Sequence, residues 1–174
     1  MRKATLLIGM MLLASLPALA QAPSYTFVEA GWLQADPDGG SSEDGWFAGG
    51  SFGLNRLHFF AEYGDLSDAE VWEAGGGWHG LFGERLDLVA QASFVDLDSD
   101  DGYKLTGGVR WMLLEKLEVN GFMNYLDTGS DNDTSIEVNG IWNLGQRFGV
   151  GAGYEAGDQL NWLRAFARFN FGGN

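Results

Sequence analysis

Glu62 and Glu73 flank the acidic stretch DLSDA (65–69), so a hairpin closing symmetrically there sets their carboxylates side by side. Adjacent carboxylates repel unless a cation or a proton lies between them, and one of the two then holds its proton more tightly. Such a pair is either a cation or proton site, or it is neutralised by guanidinium groups. The arginines on the same alternating polar face favour neutralisation. If the last segment closes on the first, Glu29 falls near Arg164 and Arg168. Glu29, Glu62, Glu73, Arg110, Arg147, Arg164 and Arg168 are therefore expected to form one ion network filling a narrow tube.

A second oxygen-rich feature is DLDSDDG (96–102) with GSDNDT (129–134). The carboxylates of Asp96, Asp98, Asp100, Asp101, Asp131 and Asp133 suit Ca²⁺ or Mg²⁺, which take oxygen ligands. EF-hand spacing fails, because Asp101 stands where the glycine belongs and no glutamate follows at the required distance. Solvated hairpin loops are the simpler reading, with weak divalent bridging to lipopolysaccharide phosphates as the remaining chemistry. His58 and His79 both flank short turns, and a metal shared between them lacks a third ligand of suggestive spacing. No GxSxG, HExxH, P-loop or dinucleotide motif is present, so no enzyme and no cofactor are expected.

The elements that must position these groups are strands. Period-2 alternation recurs from Ser24 to Phe171, broken by turn residues. The segments are about 24–35, 45–54, 57–66, 70–79, 85–96, 103–113, 117–127, 134–144, 147–156 and 160–171. Lengths near ten residues match tilted membrane strands. This predicts an all-β fold, a transmembrane up-and-down antiparallel β-barrel of ten strands, or of eight if the last two segments are misread. An even, closed set leaves no unpaired edge in lipid.

The connections alternate between acidic stretches, such as ADPDGGSSED (35–44) and TGSDNDT (128–134), and tight turns such as Asn55-Arg56 and Gly145-Gln146. One rim is thus expected to carry long acidic loops, facing outward, and the other short turns, facing the periplasm. An omptin-type protease needs a histidine at the outer rim, and none falls there.

Away from the rims, one face of every segment is free of charge, as in Ile136, Val138, Gly140, Trp142 and Leu144. A charge on that face would cost about 2–4 kcal/mol at the bilayer midplane. Large aromatics gather at strand ends, with Trp32, Trp46 and Trp72 toward the acidic loops and Trp78, Trp111 and Trp142 toward the short turns. Small residues dominate between them. Two aromatic belts around a smooth middle suit the two membrane interfaces, so the apolar face is expected to point outward and the polar face into the lumen.

The start, MRKATLLIGMMLLASLPALAQ, has a basic n-region, an apolar stretch and the cleavage site Ala18-Leu19-Ala20, the pattern of a secretory signal peptide over residues 1–20. Residues 21–174 then form one barrel domain. Loss of Arg2 and Lys3 takes the formal net charge from −14 to about −16. Such a surface repels nucleic acid and attracts cations. With no cysteine, closure of the sheet must replace disulfides.

YTFVEAGW (25–32), GWFAGGSFGL (45–54), WEAGGGWHG (72–80) and DLVAQASF (87–94) together resemble small outer-membrane β-barrel proteins of the OmpX/OmpA-barrel-like class, and among these the short xanthomonad-type surface barrels. The resemblance covers nearly all of the chain after residue 23. It implies location in a Gram-negative bacterial outer membrane and contact with membrane lipid, lipopolysaccharide and the assembly machinery. Such barrels commonly end on an aromatic residue, whereas here FARFNF (166–171) is followed by Gly172-Gly173-Asn174. The expected role is structural or surface-interacting, as a monomer with a narrow or plugged polar lumen. Alternatives are a small cation-preferring pore and a soluble lipid-binding barrel.

Overall fold

The computed structural model describes residues 22–67, 69–97, 100–129 and 131–171. The expected signal peptide, Asp98 and the Gly172-Gly173-Asn174 tail lie outside the described residues. The strands are β1 (Phe27–Pro37), β2 (Glu43–Leu54), β3 (Leu57–Leu66), β4 (Glu70–Leu81), β5 (Leu86–Leu97), β6 (Asp100–Met112), β7 (Leu117–Asp127), β8 (Asn132–Asn143), β9 (Phe148–Gly157) and β10 (Leu160–Asn170). Each pairs antiparallel with its neighbours, and β10 closes on β1. The eight-strand alternative is thereby excluded, since β9 and β10 are full members of the ladder. Closure lets every interior strand find partners on both sides, which a sheet in hydrocarbon requires.

Alternation sets which way each side chain points. Trp32, Trp46, Trp72, Trp78, Trp111 and Trp142 all lie on the exposed outer surface, with Phe52, Phe59, Met123 and Ile136 between the belts. The inner face holds the buried polar groups Arg110, Glu118, Asn120, Asn124, Asn139 and Arg168. This orientation is the reverse of a soluble lipid-binding barrel, whose apolar side chains would line the cavity.

Two inner glycines make room for what fills the tube. A Cβ on Gly151 would stand 2.6 Å from the Phe166 ring, and one on Gly153 would stand 1.8 Å from Asn139 Oδ1. Both positions sit on β9, beside the bulkier inner residues of β8 and β10. Asn55 takes φ 58° in the two-residue turn between β2 and β3. Asparagine tolerates this left-handed geometry, which tight hairpins demand.

The expected difference in loop length between the rims does not hold. β2 starts at Glu43 and β6 at Asp100, so much of each acidic stretch is strand. Asp101 pairs with Asp96, and Asp100 with Leu97. The hairpin ladder runs on past the point where side-chain alternation fades, because backbone pairing does not depend on which side chains the two faces carry. What distinguishes the rims is charge. Asp36, Asp38, Asp44, Glu70, Asp127, Asp131 and Asp158 mark one rim, while Arg56, Arg85, Lys116 and Arg147 stand at the other with Glu84 and Glu115 beside them, leaving that rim mildly basic. Phe27 and Asn170, the outer ends of the chain's first and last strands, pair at the basic rim.

Candidate functional site

Between the rims the inner face carries carboxylates at Glu29, Glu62, Glu73, Asp87, Glu118, Glu137 and Glu155, against cations at Lys104, Arg110, Arg164 and Arg168. Carboxylates therefore outnumber fixed cations in the lumen. Glu62 and Glu73 stand opposite each other in the β3–β4 register, and so do Glu29 and Arg168 across the β1–β10 closure. The carboxylates are each engaged differently. Arg168 Nε donates to Glu29 at 2.7 Å, and its Nη2 lies 2.7 Å from the same oxygen. Lys104 and the Ser93 hydroxyl donate to Glu73, the latter at 2.7 Å. Arg164 meets Glu62 at 3.5 Å. Glu155 accepts from Asn124 at 2.8 Å and from Ser135, and Glu137 from Asn139 at 2.6 Å.

The deepest pair is Arg110 with Glu118, where Nε and Nη2 donate to one carboxylate oxygen at 2.9 and 2.7 Å. Arg168 also approaches Glu118, at 3.8 Å. Aromatic rings interleave with these cations: Arg110 lies 4.4 Å from the Tyr25 centroid and Arg168 4.0 Å from that of Phe27. Guanidinium faces gain about 0.5–2 kcal/mol from such contact, more as water is removed.

Arg147 does not belong to the network. It lies exposed in the turn between β8 and β9, at the basic rim, because the strand begins one residue later at Phe148. Lys104 and Glu118 take their places in the network instead. Both are legible as inner-face residues, but their partnerships are not. Glu73 on β4 meets Lys104 on β6, and Glu62 on β3 meets Arg164 on β10. A narrow lumen brings together strands that are not neighbours, which hairpin register cannot reveal.

Two cavities occupy the lumen, of about 90 Å³ toward the acidic rim and about 150 Å³ toward the basic rim. Glu62, Glu73, Lys104, Asn124 and Arg164 line both, so the two ion pairs form the partition between them. Phe47, Ile141 and Phe166 pack beside this partition with Leu33, Ala35 and Leu66. Arg164 is held 5.3 Å from the Phe47 ring centroid.

The basic-rim mouth is closed by the segment preceding β1. Tyr25, 7% exposed, stacks on His79 at 3.6 Å between centroids and lies 5.0 Å from His58. Burial raises the Tyr25 phenol well above its ordinary pKa, so the plug is uncharged. Thr26 pins this segment: its hydroxyl accepts from Gly53 N at 3.1 Å and its carbonyl from Phe171 N at 2.9 Å. Alternation alone reads Tyr25 as the start of a strand, whereas β1 begins at Phe27 and Tyr25 turns into the tube. His58 and His79 stand 5.6 Å apart between ring centroids, near Asp87.

At the acidic rim, Asp131 accepts from the Gln159 side chain at 2.9 Å and from Asn132 N at 2.8 Å, and Asp133 accepts from Asp158 N at 2.8 Å. These bonds tie the β7–β8 and β9–β10 connections together. The hydrogen bonds from Gln159, then Asn132, hold the Asp131 carboxyl below its usual pKa. The divalent-ion candidates do not assemble: among the described residues no three His, Cys, Asp or Glu side chains gather as a metal site. Asp96, Asp100 and Asp101 are spread along paired strand ends, and Asp131 and Asp133 are spent on loop bonds.

No family profile and no curated protein matches the chain. Solved structures do. One is "KdgM porin in complex with disordered oligogalacturonate", with TM-score 0.56 at 10% identity, covering 84% of this chain and 99% of that one. A second, "KdgM porin", has TM-score 0.53 at 13% identity, covering 83% and 99%. The shared property is the barrel. At such identity the likeness extends to the fold and not to the residues inside it.

Proposed function

We propose that the protein is an outer-membrane β-barrel with a structural and surface-interaction role, akin to the small OmpX-like barrels, exported through its N-terminal segment and working as a monomer. The observation that carries this reading is the combination of an apolar outer belt with a lumen narrowed at its middle by the Glu62–Arg164 and Glu73–Lys104 pairs and covered at one mouth by Tyr25. Aromatic girdles at both strand ends support a bilayer-spanning orientation. The acidic rim faces outward, where divalent ions bridge it to lipopolysaccharide phosphates, and the basic rim faces the periplasm and the assembly machinery.

A second reading, a small cation-preferring pore, is favoured by the excess of carboxylates over fixed cations between the rims. The oligogalacturonate named with the KdgM porin is a polyanion. This lumen is of the wrong sign for it, because like charges in a narrow, low-dielectric tube repel strongly.

The test is conductance of the refolded barrel in a planar bilayer. A protein that inserts, shows heat-modifiable gel mobility and carries no steady current supports the closed barrel. Steady current with cation selectivity, reduced in Glu62→Gln, establishes the pore instead.

A further inference from the structure

The vestibule above the constriction has a mostly apolar lining, continuous with the buried cluster of Leu33, Phe47, Ile141 and Phe166, that ion passage does not require. Leu33, Val71, Val95, Leu126, Leu160 and Trp162 line the lumen-facing wall toward the acidic rim. They do not face lipid, since alternation turns them into the tube. An apolar wall around a water-accessible pocket, with a few polar groups converging at its base, is the usual make-up of a small-molecule site.

The base has a sign. Glu62, Glu73 and Glu155 reach it, with Lys104 and Arg164. Glu73 is satisfied by Lys104 and Ser93, and Glu155 by Asn124 and Ser135. Glu62 is different. Its ion pair with Arg164 is 3.5 Å long, and among the described residues no hydrogen bond reaches it. Arg164 is shared with the Phe47 ring. The Glu62 side chain is 27% exposed, the most open carboxylate of the luminal ion pairs.

We propose that this vestibule binds a small amphipathic organic cation, its apolar body against the Trp162 and Leu160 wall and its ammonium group on Glu62. Apolar burial supplies affinity, and the under-compensated carboxylate supplies the preference for positive charge. This inference rests on the reading of the barrel as closed below the vestibule, since an open tube offers no floor.

The probe is 2-phenylethylamine, compared with its neutral isostere 2-phenylethanol and its anionic relative 3-phenylpropionate. The full barrel is placed in phosphatidylcholine nanodiscs. Trp162 emission is read as the difference between the unchanged chain and Trp162→Phe. The amine is expected to give a saturable change with an affinity roughly tenfold or more above either relative, and Glu62→Gln to remove that advantage. Leu160→Trp, which fills the pocket, should abolish binding of all three. Absence of saturation, equal affinity of the three compounds, or an amine preference that survives Glu62→Gln overturns the proposal. If Glu62→Gln fails to fold, the comparison of the three compounds on the unchanged chain decides. Bilayer current separates the two readings: a closed barrel without amine preference removes the ligand site alone, whereas a conducting barrel removes the closed floor.

Discussion

Glu62 on β3 and Arg164 on β10 face each other at 3.5 Å across the lumen, with β1 and β2 between their strands. With Glu73 and Lys104 they divide the tube into two cavities. Opening this constriction together with the Tyr25 mouth should convert a closed barrel into a conducting one. Replacing Glu62, Glu73, Lys104 and Arg164 by serine and Tyr25 by alanine is expected to give steady current in planar bilayers, while the unchanged barrel and the variant that keeps Tyr25 give none. Steady current in the variant that keeps Tyr25 would mean that the mouth is open and the ion pairs alone close the tube.

The Arg110–Glu118 pair should matter asymmetrically. Both side chains are buried, so removing one partner strands a charge. Arg110→Met is expected to lower stability by about 3–5 kcal/mol, and Arg110→Met with Glu118→Leu to recover most of that loss. Urea midpoints of refolding into lipid vesicles measure both. Equal destabilisation by the single and double changes would show that packing, and not charge, sets the cost.

The outward face should reject charge according to depth. Val138 lies mid-strand on β8 and is exposed outward, while its neighbour Asn139 points in. Val138→Arg is expected to cost about 2–4 kcal/mol in vesicles, and the same change at Leu144, in the turn, about 0–1 kcal/mol. Equal costs at the two sites would contradict a bilayer around the strand middles.

The acidic rim should loosen in acid. Because the folded Asp131 carboxyl titrates below its ordinary value, its bonds add stability above that value. That contribution is lost as pH falls through the lowered pKa. Gln159→Ala removes the main cause and is expected to return the Asp131 carboxyl toward its ordinary value. Carboxyl chemical shifts across an acid titration report it. An unchanged Asp131 titration in that variant would assign the shift to Asn132 N instead.

Period-2 alternation over residues 24–171 was enough to specify the barrel and the outward face, because the pleat allows only two directions for a side chain, while the choice of ten strands over eight waited on the pairing of β9 and β10. It also put Glu62 beside Glu73 and Glu29 near Arg164 and Arg168; the closing register pairs Glu29 with Arg168 and sets Arg164 opposite Leu33. The inward apolar side chains of Leu33, Val71 and Val95 follow from the same parity carried to the rim. Other features belong to the closed tube. That Lys104 serves Glu73, that Arg164 reaches Glu62 and that Tyr25 folds under Arg110 depend on distances inside the lumen, between segments that are not neighbours in the ladder. Local pattern encodes direction along one strand. Only the curvature of the whole sheet decides which inward side chains meet.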